Sequence, residues 1–142
     1  MTVRLTRLNG KVHFQADNGE GNTLLIDGSP RVGGEGLGFR PMQVALAALA
    51  SCSVMDLVHI LQRQREDLQD IRVTADGDRE DGAVPSPFTA VRLHYDLYGA
   101  VDEAKARRAV QMAVEKYCSV AEMLKQTVDI SWDFTIHPEV EA

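Results

Sequence analysis

The stretch Pro41 to Leu61, PMQVALAALASCSVMDLVHIL, most limits what this chain can become. Its apolar residues lie nearly all round a helical wheel, so a helix here needs cover on most faces. Pro41 suits the first helical position, where its missing N–H costs nothing. Ser51, Ser53, Asp56 and His59 interrupt the run, so it falls short of a membrane span and reads as a core helix. With 142 residues, 44% of them hydrophobic, the chain has the size of one domain, residues 1–142, that can bury such a helix.

Periodicity supplies the partners. Val3 and Leu5, then Val12, Phe14 and Ala16, then Leu24 and Ile26 alternate with polar residues, and Asn9-Gly10 and Asn18-Gly19 punctuate them as turns. Three short antiparallel strands are expected there. Asp27 to Pro41 carries five glycines and two prolines and reads as a loop, either a functional one or a connector. It lacks the Gly-Lys-Ser/Thr ending of a phosphate-binding loop. After the central helix, Ile71, Val73 and Ala75 predict a strand, residues 76–87 a polar turn, and Val91, Leu93, Tyr95 and Leu97 a second strand. From Asp102, Ala106, Ala109, Val110, Ala113, Val114 and Tyr117 fall on one helical face. Val128, Ile130, Trp132, Phe134 and Ile136 alternate strictly and predict a final strand. Met42, Met55, Met112, Met123 and Trp132 read as core fillers. The order is βββαββαβ, with a short extra helix possible after Cys118. One amphipathic helix and a small sheet cover too little of Val44 to Leu61, so a homodimer is expected.

A formal charge of -6 and a pI near 5.1 argue against nucleic acid, which calls for clustered Lys and Arg on one face. The alternating polar N-terminus is unlike a secretory signal, so a soluble cytoplasmic protein without a membrane partner is expected. No CxxC or HxxxH pair offers a zinc site, and neither a metal nor a cofactor is expected.

The chain's only two cysteines, Cys52 and Cys118, each open the frame Cys-Ser-Val-any-acid-apolar. In a reducing compartment such thiols are catalytic, redox-sensing or simply buried and inert, and the residues alone leave these readings open. Ser119-Val-Ala-Glu122 is a capping-box pattern that would start a helix just after Cys118 and set its thiol beside free amides. Cys52 lies well inside its helix, so the two frames are not structurally equivalent. Asp56 one turn away disfavours a thiolate at Cys52, which calls for a cation, and Arg4, Arg7, Lys11, Arg31 and Arg40 are on hand. Seven helical residues set His59 about 10 Å along the axis from Cys52, too far for direct proton transfer. Asp56 with His59 reads instead as a polar interruption of the helix, with a paired core histidine as one form of it. His13, His94 and His137 fall at polar strand positions and are expected to be exposed.

The Gly-rich loop, RPMQVALAALASCSVMDLVHIL, the hairpin, and AVQMAVEKYCSV before a closing strand together resemble the OsmC/Ohr superfamily, the osmotically inducible and organic hydroperoxide resistance proteins, over nearly the whole chain. The resemblance implies an α+β fold with two antiparallel sheets around a buried central helix, in an interwoven homodimer with active sites at the subunit interface. Position by position, Cys52 matches the peroxide-attacking cysteine and Cys118 the resolving one. The implied activity is thiol-dependent reduction of organic hydroperoxides, with an external dithiol restoring both thiols. Where peroxidase members carry Glu just after the Pro of this motif, the chain has Met42 and Gln43. The rival expectation is a non-peroxidase OsmC-like protein, a thiol-containing small-ligand-binding or stress-response module. A redox pair requires Cα atoms roughly 4.4 to 6.8 Å apart, or nearly so. Leu46, Leu49 and Phe39 are the expected apolar walls for an alkyl group.

Overall fold

The computed structural model describes residues 1–139. It contains two compact units, Met1–Ala45 and Leu46–Ala142. The architecture is α+β with two three-stranded sheets.

In the first unit β1 (Arg4–Arg7), β2 (Phe14–Asp17) and β3 (Thr23–Ile26) form an antiparallel sheet in that order. The two Asn-Gly signals are its turns. Asn9 Oδ1 accepts from the amides of Lys11 and His13, and Asn18 Oδ1 from those of Glu20 and Asn22, so each Asn side chain stands in for a backbone turn partner.

The Gly-rich segment is a built loop. The Asp27 side chain is buried, and its carboxylate accepts from the amides of Gly28, Glu35 and Leu37 at 2.7, 3.2 and 3.0 Å. Phe39 then pairs back to the end of β3, its amide donating to Leu25 O while the Asp27 amide donates to Phe39 O. Gly34 is required where it stands, because a Cβ there would lie 1.9 Å from the carbonyl oxygen of Gly28. The Leu37 amide chiefly, with those of Gly28 and Glu35, holds the Asp27 carboxyl below its usual value of 3.8 against the opposing effect of burial. A carboxylate held low stabilises the fold fully above its ordinary range and ceases to do so as pH falls through the native value. The loop is therefore expected to open in acid below the ordinary carboxylate range, and Asp27→Ala to open it at neutral pH. Amide exchange at Glu35 and Leu37 reads both, and unchanged protection in the variant would remove Asp27 from this role.

Helix α1 (Pro41–Arg63) starts as a capped helix, Gln43 Oε1 accepting from the Arg40 amide at 2.9 Å. Its fully buried residues are Leu49, Ser53, Leu57 and Leu61, one every fourth position. Ala47, Ser51, Met55 and His59 are exposed on the opposite side. A single chain thus covers one stripe of α1, where the sequence predicts a helix buried on most faces. His59 is no core histidine, and Met55 and Met123 are 63% and 80% exposed and so are not core fillers.

The second unit continues with β4 (Asp67–Arg79), β5 (Phe88–Ala100), α2 (Glu103–Met112), one π-helical turn (Ala113–Tyr117), α3 (Ser119–Leu124) and β6 (Asp129–His137). The element order matches the one expected. The hairpin strands are longer than predicted, because residues 76–79, turn-like in composition, pair with residues 88–92. Both sheets were expected to be antiparallel, and the second is mixed: β6 pairs with β5 in parallel, Leu93 opposite Trp132 and Tyr95 opposite Phe134. Alternation fixes which residues share a face and carries no information on strand direction. The core of this unit joins Val91, Leu93, Tyr95 and Leu97 of β5 to Ala106, Ala109 and Val110 of α2, all at 0% exposure. On the polar face of the sheet His137 and His94 both lie against Asp96, at 2.8 and 3.4 Å, and the two imidazoles are only about a third exposed, at 33% and 37%.

Candidate functional site

Both thiols belong to the second unit. Cys52 sits half-buried on α1, one residue before the buried stripe position Ser53. Cys118 arrives by a change of helical phase. The Cys118 amide bonds to Ala113 O five residues back, at 3.0 Å, so Cys118 takes the rotational place that Tyr117 would hold in a regular α-helix. Tyr117, predicted on the apolar face, is accordingly 48% exposed, and Cys118 is 3% exposed.

Cys118 also opens the next helix. Its backbone turns extended, with φ -71° and ψ 108°, and its Sγ accepts from the Ala121 amide at 3.3 Å, capping α3. The helix start predicted after Cys118 is present one residue early, with sulfur as the cap in place of the Ser119 hydroxyl. Both cysteines are free, and Cys52 is near enough to Cys118 to act on its thiol. Burial pushes the Cys118 thiol up to about 11. The amides of Ala121 and Val120 oppose that rise, and the neighbouring Cys52 sulfur adds to it. Proximity to helix amides was expected to favour a thiolate, and desolvation outweighs it here.

Two hydroxyls that sequence reasoning passed over complete the surroundings. Tyr95 OH donates to Ser53 Oγ at 2.6 Å, and Ser53 Oγ donates to Ala50 O at 3.0 Å. Burial pushes the Tyr95 phenol up to about 12, with the Cys118 charge a smaller contribution in the same direction. The signal lay in two patterns read separately: Ser53 stands between Leu49 and Leu57 on the buried stripe, and Tyr95 between Leu93 and Leu97 on the buried face of β5. A buried phenol calls for a hydrogen-bond partner, and Ser53 on the facing helix supplies it.

Among the expected apolar walls, Leu49 is fully buried and Leu46 half-buried, while Phe39, in the first unit, is 47% exposed. Of the candidate cations, Arg7 donates to the carbonyls of Lys11 and Gly10, and Lys11 pairs with Glu35 at 3.2 Å, all within the first unit. A cleft of about 350 Å³ runs beside the Cys118 segment, lined by Val114, Glu115, Ala121, Glu122, Lys125 and Val128 among others, and neither sulfur lines it. Among the described residues no group of three or more His, Cys, Asp or Glu is placed to hold a metal ion.

A long apolar helix carrying one cysteine, a mixed sheet, and a second cysteine at the start of a short helix make a thiol-bearing α+β fold. The chain belongs to the OsmC-like protein family, whose model matches residues 33–133. Over 137 residues it is 36% identical to protein YhfA of Escherichia coli K12, covering 96% of this chain and 98% of that one. A hypothetical protein from Aquifex aeolicus VF5 has a similar structure, with a TM-score of 0.79, 29% identity and coverage of 96% of each chain. The organic hydroperoxide resistance protein OhrB of Bacillus subtilis shares the fold, with a TM-score of 0.69 and 20% identity over 95% of this chain and 98% of that one.

Proposed function

We propose that the chain, acting as one domain over residues 1–142, is a thiol-dependent peroxidase that reduces organic hydroperoxides through Cys52 and Cys118. The observation that carries this reading is that a half-buried thiol on one element and a buried thiol on another are near enough for the first to act on the second. Their environments support a division of labour. A thiol pushed up to about 11 stays protonated at neutral pH and makes a poor first nucleophile, so Cys52 is the attacking sulfur and Cys118 the resolving one. The Cys52 thiolate attacks one peroxide oxygen, the O–O bond breaks, and the alkoxide leaves as an alcohol after taking a proton. Cys52 is then a sulfenic acid. The Cys118 sulfur attacks it, the S–O bond breaks, water leaves carrying the thiol proton, and a disulfide remains. An external dithiol restores both thiols by exchange. No cofactor takes part, and the setting is cytoplasmic.

The test is peroxide consumption by reduced protein supplied with a dithiol. Cumene or tert-butyl hydroperoxide is expected to disappear faster than hydrogen peroxide, because the apolar residues on α1 favour an alkyl group. Rates equal to those of a protein lacking both cysteines would overturn the peroxidase reading and favour the non-catalytic, ligand-binding alternative.

The same reading has the protein as a homodimer. The exposed side of α1, with Met55 at 63% exposure, and the exposed Val3, Leu5 and Leu25 of the first unit are apolar surface that a second copy would cover. Sedimentation at micromolar concentration is expected to give twice the chain mass, and Met55→Glu to shift it toward one. A monomeric wild type at that concentration would count directly against the dimer.

A further inference from the structure

Ser53 and Asp27 are the buried polar residues in the described part of the chain, and Ser53 has no need of Tyr95. Its hydroxyl already donates to Ala50 O within its own helix. A phenylalanine at position 95 would fill the same space on β5 and bring no hydroxyl to be satisfied. Packing alone therefore leaves the 2.6 Å Tyr95–Ser53 bond unexplained. Its position is informative. Ser53 directly follows Cys52, so a bond from the middle of β5 to Ser53 Oγ fixes the rotation of α1 at the turn that carries the first thiol. Closing a disulfide demands a narrow range of sulfur separations and dihedral angles, and a fixed helix rotation raises the effective concentration of one thiol at the other.

We infer that Tyr95 is a positioning residue for the thiol pair: through its hydroxyl it holds Ser53, and with it the α1 turn bearing Cys52, in register with Cys118 for disulfide closure. Cys118 adds a smaller upward push on the Tyr95 phenol, so the second thiol is also in the neighbourhood of this bond. The inference rests on the reading of Cys52 and Cys118 as a redox pair, and it does not depend on peroxide being the oxidant.

The experiment is a thiol–disulfide equilibrium with dithiothreitol. Oxidised dithiothreitol takes two electrons and two protons from the protein thiols, giving reduced dithiothreitol and the Cys52–Cys118 disulfide. Tyr95→Phe, which keeps the ring, is expected to lower the equilibrium constant for the protein disulfide about tenfold, or about 30 mV for this two-electron couple. Ser53→Ala is expected to do the same from the other side of the bond, and it serves as the second variant should Tyr95→Phe fold poorly. The double variant should lose no more than either single one, because both remove the same contact. Ser53→Thr, which keeps a hydroxyl, should restore most of the loss. A merely structural role would lower Tm and leave this equilibrium where it was. A wild-type equilibrium constant in Tyr95→Phe, or losses that add fully in the double variant, would overturn the inference and leave the redox pair standing. Failure of the wild type to form the disulfide at all would remove the pair and the inference together.

Discussion

Cys52→Ser is expected to abolish hydroperoxide turnover, and Cys118→Ser to consume one equivalent per chain and then stop. The asymmetry follows from the two environments. Cys52 is half-buried, so a peroxide can reach it, while Cys118 is 3% exposed and its thiol is pushed up to about 11. A serine at 52 leaves no sulfur able to begin the reaction, and the buried thiol does not take over, since at neutral pH almost none of it is thiolate. A serine at 118 leaves the first attack intact and strands Cys52 as sulfenic acid, which a dimedone-type trap detects by mass. In the wild type the resolving step should quicken as pH rises from neutral, because Cys118 must shed its proton to attack. Equal rates in wild type and Cys52→Ser would show that the reaction does not begin at this sulfur. Multiple turnovers by Cys118→Ser would show that the dithiol attacks the sulfenic acid directly and that Cys118 is not needed to resolve it.

Leu57→Ala should be among the most destabilising single changes on α1. Leu57 is at 0% exposure, one turn past Ser53, so truncation removes buried methyl groups and leaves a cavity in a stripe only four residues long. Such changes cost about 2–5 kcal/mol, depending on how far the site collapses. Met55→Ala, two residues away on the exposed side, removes as large a side chain from a different setting. Measured by urea melts across a range of protein concentrations, the Leu57→Ala loss should persist at every concentration, and any Met55→Ala loss should vanish on dilution. A cost below about 1 kcal/mol for Leu57→Ala would mean that the 49, 53, 57, 61 stripe is not what holds the helix.

Much of this fold was legible in the sequence because its elements are strongly periodic. The apolar run from Pro41 gave α1, and the alternation from Val91 to Leu97 and from Val128 to Ile136 gave the two strands next to the thiol-bearing segment. What escaped has physical reasons. The direction of β6 is set by the path of the connection before it, which no local pattern records. Helical spacing from Val110 and Val114 points both Tyr117 and Cys118 inward, and Cys118 is indeed buried, while the π turn, a one-residue insertion in hydrogen bonding that no local pattern records, leaves Tyr117 exposed. Residues 76–79 are rich in Asp and carry a Gly, a turn composition, yet Arg92 bridges Asp76 and Asp78 at 2.7 and 2.9 Å and lets those acids sit on a paired strand. At the site, both cysteines could be proposed from the resemblance, while the Tyr95–Ser53 bond required knowing that β5 and α1 face each other.

The parallel pairing of β5 and β6 also decides how the second thiol is supplied. Two strands running the same way cannot be joined by a tight turn, so the chain leaving Ala100 has to travel back along the length of the sheet before β6 can begin. Cys118 rides on that return journey, between the end of α2 and the start of α3. Its backbone is placed by the hydrogen bonds of that segment, from the Cys118 amide to Ala113 O and from the Ala121 amide to Cys118 Sγ. The placement of the second sulfur is thus a property of connection length: adding or removing a residue between Glu103 and Leu124 would change the direction of the thiol with every strand register untouched.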